Sequence, residues 1–318
     1  MTELVVLHEP PESAWGMRPE DRSLDQRFRS GVFVADKPQG PTSHQVSAWV
    51  RDMAAASRAG HAGTLDPRVT GVLPIALNEA TRALEAMLAG DKEYVGLLQL
   101  HQDVDRGRVE AMMARFVGEI YQTPPVRSAV KRELRTRVVH AFDPLETDGR
   151  LVLFRVRCES GTYIRTLAVD VGDALGVGAH LAELRRTRTG SFRESEARPL
   201  VALRDGFEIW KGEGDGEPLK ALLVPMERLL DQLPKVVVKD TAVDTICHGA
   251  NLHVPGVAKL SSTIRRGQLV AIFTAKGEGV AIATAKMTAD EITTAKSGVA
   301  ADTKRVLMEP GTYPKLWR

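Results

Sequence analysis

The sequence predicts an α+β fold, with strands and helices mixed in irregular order and a small β-barrel after them. Three observations predict it. Apolar residues recur with a period of two in some segments and of three to four in others, without the strict βαβ alternation of a doubly wound sheet. From residue 235 the apolar runs become short and are punctuated by glycine. The 318 residues are 43% hydrophobic, 26% charged and 5% aromatic, a globular composition long enough for about two domains. That composition excludes a disordered chain, a collagen-like repeat and a disulfide-stapled miniprotein. No run approaches the ~18 apolar residues of a membrane span. The opening MTELVVLHEPPESAWG lacks a basic region followed by an apolar run, so no signal peptide is expected. Cys158 and Cys247 are the only cysteines, which fits a reducing, cytoplasmic setting.

Taken in order, GVFVAD at 31–36 is a short strand. KPQGPTSHQVSAWVRDMAAA then gives a loop and a helix capped by Thr42 or Ser43, with Val46, Val50 and Met53 on one face. A turn, RAGHAGTLDPRVTG, leads into VLPIAL at 72–77, and a helix with Ala83, Leu84, Met87 and Leu88 on one side follows. KEYVGLLQL at 92–100 reads as a strand and 109–117 as a helix. LVLFRVRC at 151–158 is a half-buried strand with Val152, Phe154, Val156 and Cys158 on its inner face. After SGTY, a helix carries Ile164, Leu167, Ala168, Val171 and Leu175 and stops at Gly176. A second helix is expected around Leu181 and Leu184. The acidic stretch 204–219, with four glycines and a proline, reads as an insertion or linker, and a domain boundary is expected near Pro234. PKVVVKD, HGANLHVPGV, GQLVAIFT and GVAIATAKM are the short β runs of the barrel.

The net charge of +2 is an average over unlike blocks. Residues 1–126 carry −4, 127–198 carry +4, 199–234 carry −3 and 235–318 carry +5. Two basic blocks separated by an acidic one hint at local anion binding, although solvated faces fluctuate by as much.

Four segments carry candidate chemistry. In GHAGTLDPRVTG (60–71) the carboxylate of Asp66 sits in a glycine-rich turn, and Pro67 pushes Asp66 out of the α region. An Asp so presented can serve as nucleophile or general base, and the same residues also make an ordinary Asx turn. In CESGTYIRTL (158–167), Tyr163 and Arg165 stand two residues apart where a loop becomes a helix, and Arg165 can pair with a catalytic carboxylate. Tyr94, on a strand, can stack on a base or pack in a core. The fourth segment, 127–137, holds five basic residues and one acid, Lys131 and Arg132 among the bases. With Arg185 and Arg186 it makes a credible phosphate surface. Cys247, His248 and His253 lack a second pair at ligand spacing, so no metal site is expected. The absence of a GxGxxG or P-loop pattern points to no nucleotide cofactor.

At this point the chain resembles a known family. DKPQGPTS, GHAGTLDP with TGVLPIAL, KEYVG and SGTYIRTLAVDVGDALGVGAHLAELRRTRTG are similar, in order and spacing, to the motifs of the TruB family of pseudouridine synthases, over residues 27–195. The segment VVVKDTAVDTICHGANLHVPGV with IRRGQLVAIF resembles a PUA domain, an RNA-binding β-barrel. DQRFRSGVFVADKP, LHQDVDRGRVEAMMARFVGEIYQTPPVRSAVKRELRTR and the closing YPKLWR resemble the archaeal dyskerin-like branch. LHQDVDRGR is short where the bacterial branch has an insertion that clamps tRNA.

The resemblance implies a pseudouridine synthase fold, with a mixed, largely antiparallel central sheet flanked by helices. It implies an N-terminal extension (1–30), a catalytic domain (31–233) and a PUA domain (234–318). It implies breakage of the uridine C1′–N1 bond, rotation of the base and rejoining through C5, with no metal, nucleotide or redox cofactor. Asp66 would act on the ribose, Tyr94 would stack on the flipped uracil, Arg165 would pair with Asp66, and Tyr163 would relay the C5 proton. Leu184 would close the pocket, Lys37 and Pro38 would buttress the Asp66 loop, and His61 and Gly63 would help that loop hold RNA. The implied partners are H/ACA guide RNA, rRNA and tRNA, with small accessory proteins of zinc-ribbon type and of β-barrel glycine-arginine-rich type, and no membrane. A non-catalytic PUA-anchored scaffold would have lost the Asp, Tyr or Arg at the motif positions, and all are present. An Asp-nucleophile glycosidase needs two carboxylates, and the turn supplies one.

Overall fold

The computed structural model describes residues 4–124, 131 and 133–315. A short strand, β1 (Leu4–Val6), precedes α1 (Leu24–Ser30), which Ser23 and Gln26 cap reciprocally. Then come β2 (Gly31–Lys37), α2 (Ser43–Met53), β3 (Ala59–His61) and β4 (Thr70–Leu77). The helix expected after β4 is a 3-10 helix, Asn78–Ala89, and Leu88 on it is exposed. Next are β5 (Lys92–Leu100), α3 (Arg106–Ala114), β6 (Gly118–Gln122), β7 (Arg135–Asp148) and β8 (Leu151–Cys158). They are followed by α4 (Ile164–Leu175), β9 (Ala179–Thr189), β10 (Phe192–Arg193), α5 (Leu200–Glu213), α6 (Glu217–Leu222) and β11 (Leu223–Pro225). The remainder comprises β12 (Lys235–Val238), α7 (Asp240–Cys247), β13 (Leu252–His253), β14 (Val257–Ser261), β15 (Leu269–Phe273), β16 (Gly279–Ala285), α8 (Ala289–Thr294) and β17 (Val299–Val306).

These strands make two sheets. The first runs β11-β2-β4-β9-β5-β8-β7-β6, with β3 on β4 and β10 on β9. All its pairings are antiparallel except β4 with β9. The fold class is therefore the α+β arrangement expected, with a mixed and largely antiparallel central sheet. The alternation in β5, buried at Lys92, Tyr94, Gly96, Leu98 and Leu100, turns one face of this sheet toward α3 and α4. On the β2–β4 part, α2 and α5 pack Val46, Val50, Leu203 and Phe207 against Phe33, Leu73 and Ile75.

Two expectations are corrected. Leu181 and Leu184 lie on strand β9, where Leu98 pairs with Leu181 and Gly96 with Leu184. A bulge between those pairs puts two leucines three residues apart on one face, a spacing that imitates a helix. The glycine-rich stretch 204–219 is no linker either. It lies in α5 and α6, which bury Phe207 and Leu219, and its Gly214, at φ +77°, ends α5 in the left-handed conformation.

The second sheet runs β1-β14-β12-β15-β16-β17-β13 and wraps around Val243, Ile246, Leu260, Ile272 and Ala283. Its edge strand β1 comes from the first residues of the chain, with Val5 opposite Leu260. The two sheets share a core in which Val32, Met87, Leu229 and Leu230 meet Phe273, Ile282 and Leu307. Arg22 grips Glu227 with both arms, at 2.7 and 2.9 Å, while Glu227 accepts the Gly279 N–H at 3.0 Å. The segment before β2 thus ties both sheets together. Among the described residues no helix is long and apolar enough to cross a membrane.

Candidate active site

Asp66 stands on the loop between β3 and β4, and the loop is pinned at several points. The Ser43 hydroxyl accepts the Leu65 N–H at 2.8 Å and donates back to the Leu65 carbonyl at 3.1 Å. Thr42, with Gln45, is the helix cap, which leaves Ser43 free for this task. The Lys37 ammonium, fully buried, donates to the carbonyls of Pro38, Pro67 and Val69 at 3.0, 3.2 and 2.8 Å. Leu65 and Val69, on either side of Asp66, sink into the core that holds Tyr94 and Ile164. The loop backbone is thus anchored while the Asp66 side chain stays half exposed.

Across from it, Arg165 in the first turn of α4 forms an ion pair with the Asp66 carboxylate. Tyr163 is the residue that begins α4, and its backbone is held by Gln122. The Gln122 side chain is buried, accepts the Tyr163 N–H at 2.9 Å and donates to the Tyr163 carbonyl at 3.1 Å. Tyr94 is buried on β5, two pairing steps from Leu184 on β9, and Leu184 packs partly exposed on the same core.

Beneath this arrangement lies a set of buried bases. Burial pushes the Lys37 ammonium down, and the Arg186 charge adds to the effect. Burial likewise brings Lys92 to about 8 and His61 to about 4. His61 faces the Ser47 hydroxyl at 2.9 Å and the edge of the His44 ring. The Tyr94 phenol is pushed up by burial. The buried Cys158 thiol is pushed up to about 12, so it is no nucleophile at neutral pH.

Comparison with known proteins now decides the family. The model of the TruB family pseudouridylate synthase N-terminal domain matches residues 51–164, and that of the tRNA pseudouridylate synthase B C-terminal domain matches 165–231. The PUA domain model matches 234–307 and the DKCLD (NUC011) domain model 6–47. A probable tRNA pseudouridine synthase B of Methanopyrus kandleri is 54% identical over 95% of this chain and 90% of its own length. The chain belongs to the TruB family of pseudouridine synthases. A TruB-family relative of the same name from Methanocaldococcus jannaschii is 49% identical over 99% of this chain and 95% of its own. The fold also superposes on a chain in the crystal structure of a Cbf5–Nop10–Gar1 complex, with a TM-score of 0.96 at 48% identity, covering 99% of this chain and 97% of that one. A chain in the structure of an H/ACA ribonucleoprotein bound to a substrate RNA containing 2′-deoxyuridine superposes with a TM-score of 0.94 at 46% identity, covering 100% and 98%.

On this TruB-family framework the residues singled out by sequence fall into three groups. Asp66 and Arg165 meet directly, and Lys37, Gly63, His61, Tyr94, Tyr163 and Leu184 lie on the elements around them. Pro38 is exposed at the loop base, where its carbonyl receives Lys37. Lys131 is exposed beside Glu133, and Arg132 lies outside the described residues. The phosphate surface expected at Arg185 and Arg186 needs correction. Arg186 is 1% exposed, so no phosphate reaches it. Arg185 is held by both oxygens of Asp36, at 3.0 and 3.1 Å, and by Glu194. Alternation on a strand points consecutive arginines to opposite faces, and the helix expected there hid that. Sequence reasoning missed Ser43 and Gln122 as supports. Ser43 carries a signal, since a hydroxyl just after a cap is free to serve another segment. Gln122 carries none, because its partner lies 41 residues away.

Proposed function

We propose that this pseudouridine synthase isomerises uridine in RNA presented by a guide RNA, as the catalytic subunit of an H/ACA ribonucleoprotein, and that it also accepts the T-loop uridine of tRNA. The observation that carries the reading is the ion pair of Asp66 with Arg165, set over a core in which Leu65, Val69 and Ile164 pack with Tyr94. Arg165 favours the ionised carboxylate, which acts on the ribose of a flipped uridine at C1′ or C2′. The C1′–N1 bond breaks, the uracil turns against the Tyr94 ring, and C5 bonds to C1′. Forming the C5–C1′ bond frees Asp66 from C1′, or returns the proton to C2′; the C5 proton then leaves through Tyr163 while N1 takes up a proton, and Leu184 keeps water from the intermediate.

In this reading residues 31–233 are the catalytic unit and 234–318 the PUA unit, whose +5 charge suits RNA. Residues 1–30 bind the two together. The accessory partners are small proteins of the kind that accompany the solved relatives, Nop10 and Gar1, and the setting is cytoplasmic. The presence of Asp66, Tyr94, Tyr163 and Arg165 together speaks against a catalytically silent scaffold.

The test is tritium release from C5-labelled uridine in two substrates, a tRNA transcript with the chain alone and a short target RNA with guide RNA and accessory proteins. Release in the second format supports the guided reading. Release from unguided tRNA only would overturn it.

A further inference from the structure

Arg186 is first in volume among the fully buried side chains, and no carboxylate among the described residues bears on its charge. A guanidinium taken out of water without a counter-charge is costly, so its position asks for a physical reason. Its surroundings supply one. The Arg186 backbone lies beside Gly71 in the parallel pairing of β4 with β9, and opposite Tyr94 in the antiparallel pairing of β5 with β9. The side chain turns back under the catalytic loop. Its Nε donates to the Val72 carbonyl at 2.9 Å and its Nη1 to the Gly63 carbonyl at 2.8 Å. Gly63 and Gly71 bound the segment that carries Asp66, so one residue holds both ends of it.

The fit is close on both sides. A Cβ on Gly71 would fall 2.2 Å from the Arg186 carbonyl oxygen, and one on Gly63 would fall 3.2 Å from Nη1. Both glycines have positive φ, +104° and +76°, where a side chain is strained in any case. The Tyr94 hydroxyl lies beside the same guanidinium, and Nη2 is buried without a formed hydrogen bond. Arg186 is thus joined at once to the Asp66 loop and to Tyr94.

We infer that Arg186 is a positioning residue for the isomerisation, a brace beneath the Asp66 loop that sets the spacing between that loop and the Tyr94 ring, and with it the placement of the ribose against the carboxylate. The inference rests on the roles given above to Asp66 and Tyr94. It assigns Arg186 no contact with RNA. The planar fork of the guanidinium matters as much as the charge, because two carbonyls in different strands are bound by two different nitrogens.

The experiment compares full-length wild type with Arg186→Lys, Arg186→Met and Asp66→Asn, on C5-tritiated RNA in whichever format the wild type turns over. Single-turnover rate, RNA dissociation constant and thermal unfolding are read together. Each folded Arg186 variant is expected to bind RNA within about threefold of wild type and to lose about 10²-fold in rate, the effect of a misplacement near 1 Å. Adding Tyr94→Phe to Arg186→Lys is expected to cost less than the product of the two single losses, because both act on one spacing. A folded Arg186 variant within about threefold of the wild-type rate, or a rate loss fully explained by weaker RNA binding, overturns the inference. Should neither Arg186 variant fold, Gly63→Ala pushes on the guanidinium from the loop side. It should show the same rate loss at saturating RNA, beyond any loss of RNA affinity, and a wild-type rate there overturns the inference. An active Asp66→Asn enzyme would instead overturn the reading of the site itself.

Discussion

Arg165 reaches from the first turn of α4 to the carboxylate of Asp66, bridging a helix and a loop that share no backbone pairing. Both side chains are about half exposed, at 52% and 54%. An ion pair in such a setting contributes at most about 1 kcal/mol to stability. Its value is orientation, since the guanidinium fork holds the carboxylate in one place.

Asp66→Asn keeps the size of the side chain and removes the charge. It is expected to abolish tritium release, by about 10³-fold or more, while stability stays within about 0.5 kcal/mol. RNA binding should persist, because on the proposed reading the Asp66 carboxylate acts on the ribose and Asn keeps its size. Turnover near wild type would remove Asp66 from the mechanism.

Arg165→Lys retains a positive charge but not the planar fork. A loss of roughly 10- to 100-fold in single-turnover rate is expected, with an unchanged melting temperature. The comparison of rate with melting temperature is the check. A near-neutral rate would mean that charge alone, without geometry, suffices at Asp66.

Gln122→Ala tests the support of Tyr163. Gln122 is 2% exposed and satisfies both the N–H and the carbonyl of Tyr163. Removing it leaves the Tyr163 N–H without a partner, at a cost of about 1–3 kcal/mol, while the Tyr163 carbonyl keeps the Leu167 N–H at 3.0 Å. Thermal unfolding should fall by several degrees, and catalysis should fall further than stability requires. A variant with lowered melting temperature and full single-turnover rate would separate Gln122 from the site.

What could be read from the sequence follows from how local each determinant is. The turn carrying Asp66, the alternation of β5 and the amphipathic α4 are local patterns, so they were legible. Strand β9 was misread because its bulge spaces Leu181 and Leu184 as a helix would. Read as a helix, the segment hides the direction of Arg186, and a buried side chain looks like a surface cation. The helices over 204–219 were hidden by glycines, one of which is an end cap and another, Gly206, the place where Leu219 packs within 3.4 Å of where a Cβ would sit. Gln122 and the β1 strand find their partners far along the chain, and no local pattern marks such pairings.

Lys131 is exposed beside Glu133 on the basic stretch before β7. Lys131→Glu should weaken RNA binding and lower the slope of log affinity against log salt by about 1 for a single phosphate contact. Stability should not change, because the side chain is in water. Binding isotherms at several salt concentrations decide the matter, and an unchanged slope returns Lys131 to an ordinary solvated face.

His61 gives a prediction for acid stability. Burial, aided by the charges of His44 and Arg186, holds it down at about 4 from an ordinary 6.5. Near neutrality it is therefore uncharged, and it serves the loop through its hydrogen bond with Ser47 rather than by attracting phosphate. As pH falls from 6.5 toward 4, the unfolded chain takes up a proton at this position that the folded chain refuses. Stability from this source is thus full above 6.5 and is lost across that window. Partial exposure of the ring tempers the size of the loss, though not its direction. The urea midpoint of the wild type should drop between pH 6.5 and 4.5 by more than that of His61→Gln, a variant that can still bond to Ser47 and cannot titrate. Equal drops in the two proteins would show that His61 accepts its proton freely in the folded state, and that the packing around its ring admits more water than its burial implies.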